Sequence, residues 1–168
     1  HSIVLKQLGI EVVGTDISED MLKHARENSK REGLDIEFMN VAMEDLTSSI
    51  KRDFDLIFCL GNSLPHILTK TALKRTFTGF RDLLSSGGRV VLQLLNYEKI
   101  LKKKNRIISI KRQNKSEFIR FLDFQEDSVI FNVLEISWNE DKPHHHLMST
   151  RMVPYELKAL KPCLKKAG

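Results

Sequence analysis

The stretch EVVGTDISEDML, Glu11 to Leu22, decides how the chain is read. Val12-Val13-Gly14 is an apolar run that ends on a lone carboxylate, Asp16. Ser18-Glu19-Asp20 then opens a helix, with a serine at the N-cap and two acids in the first turn, where they complement the helix dipole. A strand that passes into a helix in this way presents the acid at its carboxyl end. In open α/β sheets, ligands bind beyond those ends. Because Ser18 already suffices as a cap, Asp16 is available to accept two hydrogen bonds from a ribose diol.

The flanking sequence extends the pattern. HSIVLKQLG, from His1, reads as the end of a helix stopped by Gly9. The helix after Asp16 runs to Gly33, DIEFMNVA is a second strand, and FDLIFCLG is a third. The third is nearly all apolar, which predicts burial on both faces as in a parallel sheet. TALKRTFTGFRDLLSSGG predicts a helix ending in paired glycines, and RVVLQLLN a fourth strand. Strands alternating with helices specify an α/β fold: a mostly parallel sheet with helices on both faces. After Asn96 the pattern changes. IISIKRQ, SEFIRFLDFQ, DSVIFNVLEISWN and HHHLMSTRMV are rich in β-branched and aromatic residues. They are separated by turn residues at Asn114-Lys115, Glu126-Asp127 and Asp141-Lys142-Pro143, and predict antiparallel strands. YELKALKPCLKKAG closes as a helix disturbed by Pro162. One domain is expected: a cofactor-binding α/β part over 1–97, an antiparallel insert over 98–153 and a terminal helix over 154–168.

The 168 residues suffice for one domain with a real core. No apolar run approaches the ~20 residues that span a bilayer, so no membrane segment is expected. Two cysteines, Cys59 and Cys163, form no disulfide framework, which suits a reducing cytoplasm. The charge of +5 allows anionic partners without demanding them. Its densest part, Lys102-Lys103-Lys104, Arg106, Lys111-Arg112 and Lys115, is read as a solvated face rather than a nucleic-acid site. Cys59 sits inside an apolar strand and is read as core. On a strand only alternate residues of His144-His145-His146 share a face, so no metal site is expected there.

The strand-tip acid alone fits a nicotinamide cofactor as well as S-adenosylmethionine. The third-strand stretch FDLIFCLGNSLPHI, followed by a helix and then LLSSGGRVVLQLLN, separates them. This succession resembles class I S-adenosylmethionine-dependent methyltransferases, which have a Rossmann-like fold. In that family an acid closes the second strand, an Asp opens the fourth, and an L-x-x-G-G turn precedes the fifth. Asp16, Asp55 and Leu84 with Gly87-Gly88 match in that order. CLGNSLPHI and LNYEKIL are similar, more narrowly, to stretches of glycine/sarcosine N-methyltransferase-like enzymes.

The resemblance implies roles. Asp16 holds the ribose hydroxyls, and Ile17 and Met21 pack on the adenosine. Ala42 and Met43 stand where the family often has an acid for the adenine amine, which Ala42 cannot replace. Leu60 offers its carbonyl to the methionyl ammonium, with Gly61 beside it. Asn62, Ser63 and His66 lie near the sulfonium and the acceptor, Asn62 with His66 orienting the acceptor's nucleophile and His66 serving as base. Tyr97 and Trp138 are candidate acceptor-pocket aromatics, equally suited to a core, and Arg151 could reach an anionic acceptor. Glycine-methylating relatives carry an arginine where this sequence has Leu95, so glycine is not the expected acceptor.

The family's glycine-rich loop would precede His1, so residues 1–168 alone are expected to bind cofactor poorly and to be inactive. The expected function is small-molecule N- or O-methyl transfer. An RNA or DNA methyltransferase and a non-catalytic cofactor-binding relative are the alternatives. Gly61-Asn62-Ser63-Leu64 replaces the D/N-P-P-Y/F motif of adenine-N6 enzymes, which argues against the first.

Overall fold

The structure is a computed structural model that describes residues 1–139 and 142–167. In chain order it contains α1 (Ser2–Gln7), β1 (Val13–Asp16), α2 (Glu19–Arg31), β2 (Glu37–Asn40), α3 (Leu46–Ser49), β3 (Phe54–Cys59), α4 (Lys70–Asp82) and β4 (Leu84–Leu92). These are followed by α5 (Tyr97–Lys103), β5 (Ile107–Gln113), β6 (Ser116–Phe124), β7 (Val129–Asn139), β8 (Lys142–Met152) and α6 (Leu157–Ala167). Among the described residues, no helix is long and apolar enough to cross a membrane.

The chain forms two compact units, residues 1–55 with 74–88, and residues 56–73 with 89–168. In the first, β1 and β2 pair in parallel from Val13↔Glu37 to Asp16↔Asn40. Ser18 caps α2, its Oγ accepting from Met21 N–H at 3.3 Å, a bond of a kind that contributes about 1 kcal/mol. Glu19 and Asp20 open that helix and Lys30 and Arg31 close it, so both ends oppose the dipole. Leu22, Val41, Leu46, Phe77 and Phe80 supply much of the core, with the two phenylalanine rings 6.3 Å apart and tilted.

The second unit carries the antiparallel sheet, in the order β5-β6-β7-β8, as the β-branched and aromatic segments and turn residues after Asn96 predict. Tyr97, Leu122, Val129 and Met152 form its buried centre, with Ile100, Leu101, Phe124 and Phe131 packed against them. Pro162 lies inside α6 without ending it.

β3 and β4 pair with one another, as β1 and β2 do. Several expectations change. β3 is not buried on both faces: Leu56 and Phe58 are 42% and 43% exposed, while Cys59 is buried. An apolar run states a capacity for burial; what covers it is decided elsewhere in the chain. The paired glycines do not end α4, which stops at Asp82; they lie within β4. Gly88 is required there, because a Cβ would come within 3.0 Å of the Ser85 and Phe54 carbonyls. α5 was not anticipated. Its signals were local: Asn96 accepts from Lys99 N–H as an N-cap, and Tyr97, Ile100 and Leu101 follow helical spacing. The turn expected at Asp141 lies outside the described residues, and Lys142 and Pro143 already belong to β8.

Candidate cofactor and acceptor site

In the first unit, Asp16 is exposed at the end of β1, where the strand-tip reading puts it. Its Oδ1 accepts from Ser18 N–H at 2.9 Å, which orients the carboxylate. Asn40, directly opposite in β2, braces the backbone at this tip. Its Nδ2 donates to the carbonyls of Ile17 at 3.0 Å and Asp16 at 3.3 Å. Val41 N–H adds a bond to the Asp16 carbonyl at 3.1 Å. Ile17 and Met21, which follow the acid in the chain, are 71% and 59% exposed. An oriented carboxylate together with open apolar side chains can bind a group that is polar on one edge and flat and apolar on the other. Ala42 and Met43 are half-buried, and the Ala42 carbonyl accepts from Asp45 N–H as a short 3-10 turn, Met43–Asp45, begins.

Asp55 opens β3 as the motif requires, and Ser85 Oγ donates to its Oδ1 at 2.7 Å. That gives Asp55 a structural role in joining the start of β3 to the segment before Gly87-Gly88.

In the second unit, β3 ends in a corner with two left-handed residues, Gly61 at φ 68° and Asn62 at φ 66°. Glycine adopts this region freely, and asparagine more readily than most residues. Gly61 N–H donates to Gln93 Oε1 at 2.7 Å, and Asn62 N–H to the Gln93 carbonyl at 3.2 Å. Asn62 Oδ1 accepts from Leu95 N–H at 3.1 Å, and its Nδ2 donates to Tyr97 Oη at 2.8 Å. Asn62, Leu95 and Tyr97, three residues singled out in the sequence, are thus brought together. Tyr97, however, is 1% exposed and belongs to the core, so it does not line an open acceptor pocket. Burial pushes its hydroxyl above the usual value, an effect the Asn62 bond partly offsets. The Leu60 carbonyl is engaged twice by Ser63, from Oγ at 2.7 Å and from N–H at 3.3 Å.

His66 is exposed at the end of a 3-10 turn, Leu64–His66. Arg151 is exposed on β8 and its Nε donates to Ser128 Oγ at 3.2 Å. Trp138 is 47% exposed. Cys59 is buried, and burial pushes its thiol up, as suits a core residue. His144, His145 and His146 are exposed along β8. Among the described residues, no three histidines, cysteines or acids gather as metal ligands would. Asn40 and Gln93 had no signal in the sequence: their importance comes from register and from a turn, neither of which is local.

A family model described as a methyltransferase domain matches residues 1–88. The chain is 34% identical over 101 residues to the glycine/sarcosine N-methyltransferase of Halorhodospira halochloris, a match that covers 60% of this chain and 38% of that protein. Its fold is similar to that of an S-adenosylmethionine-dependent methyltransferase from Clostridium acetobutylicum (TM-score 0.80, 20% identity, 94% of this chain and 63% of that one). It is equally similar to the CcbJ methyltransferase of Streptomyces caelestis (TM-score 0.81, 19% identity, 98% and 66%). The chain thus spans well under half the length of the curated relative.

Proposed function

This chain belongs to the methyltransferase domain family, and from that premise we propose that it serves S-adenosylmethionine-dependent methyl transfer to a small-molecule acceptor. The observation that carries the reading is the oriented Asp16 carboxylate at the end of β1, with the exposed side chains of Ile17 and Met21 following it in the chain. A ribose diol can donate to the acid, and the two apolar side chains can cover the base. Ala42 offers no side-chain acceptor for an adenine amine, so recognition of the base rests on shape and backbone. The fit at the Leu60–Gly61 corner is conditional. The Leu60 carbonyl already accepts two bonds from Ser63, so receiving an ammonium requires the Ser63 hydroxyl to turn away.

When bound, S-adenosylmethionine supplies a methyl group already activated on a sulfonium. The chain's own task is therefore alignment and exclusion of water. His66, exposed next to the matched motif, is the candidate base that takes a proton from a protonated acceptor. Leu95 offers no donor to a carboxylate, so an uncharged or weakly anionic amine or phenol fits better than glycine. Burying a carboxylate there unpaired costs several kcal/mol. We place the protein in the cytoplasm.

The test, on the full-length protein, is a calorimetric titration with S-adenosylhomocysteine, followed by a methyl-transfer assay over glycine, sarcosine and a panel of uncharged amines and phenols. Binding together with transfer to the panel supports the reading. Binding without transfer to any acceptor supports a non-catalytic relative, and absence of binding removes the cofactor assignment.

A further inference from the structure

We propose that Tyr97 is a positioning residue: its buried hydroxyl fixes the left-handed Gly61–Asn62 corner and, through it, the neighbouring Leu60 carbonyl. The inference rests on reading that corner as part of the cofactor cradle.

The corner follows β3 and is tied to the segment 93–97 by the bonds from Gly61 and Asn62 to Gln93, from Leu95 to Asn62, and from Asn62 to Tyr97. Gln93 is exposed and Leu95 only half-buried. Tyr97 is different. Its ring is 1% exposed among Leu122, Val129 and Met152, and it begins α5, whose N-cap is Asn96. Moving the hydroxyl means dismantling that cluster, so Tyr97 Oη is the fixed point to which the Asn62 amide is turned. Met152, in the last position of β8, places its sulfur 3.7 Å from the same Nδ2. The corner is therefore referenced to both α5 and the end of the antiparallel sheet.

The bonding also defines what Asn62 can do. Its Oδ1 is engaged by Leu95 N–H and its Nδ2 by Tyr97, so the amide holds the corner rather than orienting an acceptor. An asparagine at positive φ relaxes toward negative φ when its anchor is lost. Such a change displaces the peptide between Leu60 and Gly61, and with it the carbonyl assigned to the cofactor.

Tyr97→Phe keeps the ring and deletes the hydroxyl. In the cofactor-free protein, hydrogen exchange over 60–63 and at Leu95 is expected to accelerate about tenfold, with β6 and β7 unchanged. Calorimetry with S-adenosylhomocysteine is expected to show about a tenfold weaker affinity. In an Asn62→Gly background, which keeps left-handed freedom and lacks the amide, Tyr97→Phe is expected to have no further effect on that affinity. Unchanged exchange over 60–63 in Tyr97→Phe overturns the proposal, as does acceleration spread over all of β5–β8, the mark of a residue that only fills the core. If the unmodified protein does not bind S-adenosylhomocysteine, the methyltransferase reading fails, and the exchange measurement still decides the role of Tyr97.

Discussion

Ser63 and Leu60 form a closed pair: the serine hydroxyl donates to the leucine carbonyl at 2.7 Å, and the serine N–H reaches the same oxygen at 3.3 Å. A carbonyl has two lone pairs, and both are in use. The hydroxyl is the partner that can rotate away. Ser63→Ala is expected to lower stability by about 0.5–1.5 kcal/mol in denaturant melts. Affinity for S-adenosylhomocysteine should stay equal or rise, because a competitor for the carbonyl is gone. A clear loss of affinity would mean that Ser63 itself contacts the cofactor.

Asp16 has one oxygen oriented by Ser18 N–H, and the exposed Ile17 and Met21 follow it. Asp16→Ala is expected to cost about 1.5–3 kcal/mol of cofactor binding, the range for a hydrogen bond to a charged acceptor. Asp16→Asn should lose less, since its carbonyl can still accept. Calorimetry giving equal affinity for Asp16→Ala and the unmodified protein would take Asp16 out of the site.

Stability is expected to fall on the alkaline side. Cys59 is raised above its ordinary 9.0, and Tyr97 and Tyr155 above their ordinary 10.0, in each case chiefly by burial of the ionised form. A folded state that holds its protons more tightly than the unfolded chain has its full stability below the unfolded values and loses it as pH rises through the folded ones. Melts between pH 7 and 11 should therefore decline from about pH 9. Tyr155→Phe, which also removes the bond to the Ile67 carbonyl, should flatten the limb above about pH 10. A flat profile in the unmodified protein would contradict the burial argument.

The basic segment is expected not to bind nucleic acid tightly. Its two best-placed cations are already engaged: Lys104 lies over Phe124, and Arg106 lies over Phe121 while pairing with Asp123. Beyond Phe124, only Phe118 and Phe121 stand nearby as stacking partners for bases, and Phe121 is covered by the protein's own Arg106. Filter binding over a salt series should show weak association. Tight binding with a steep loss of affinity as salt rises would reverse this assignment.

Glycine is expected to be a poor acceptor. Leu95 presents its backbone N–H to Asn62 and has no side-chain donor. A methyl-transfer assay in which glycine outpaces the uncharged panel would require a cation from elsewhere, and Arg151→Ala would identify one candidate.

Much of this protein can be read locally, and what can be read shares one property: it depends on neighbours within a few residues. Ser18 as a cap, the acids after it, Asp16 at the strand end and the β-branched and aromatic segments of β5 to β8 are consequences of backbone geometry at short range. The order Asp16, Asp55, Gly87-Gly88 is also legible in the sequence, as a resemblance to the family's pattern. Tertiary structure decided what depends on register and packing. Asn40 braces the Asp16 tip because two strands pair in parallel across 24 positions. Tyr97 is a core anchor rather than a pocket wall because a sheet folds over it, and Asn62 meets it across 35 positions. Leu56 and Phe58 have an open face although their strand is apolar. A side chain's chemistry is carried in the sequence, but its partner is set by where distant segments come to rest, and burial and hydrogen-bond satisfaction are settled only then.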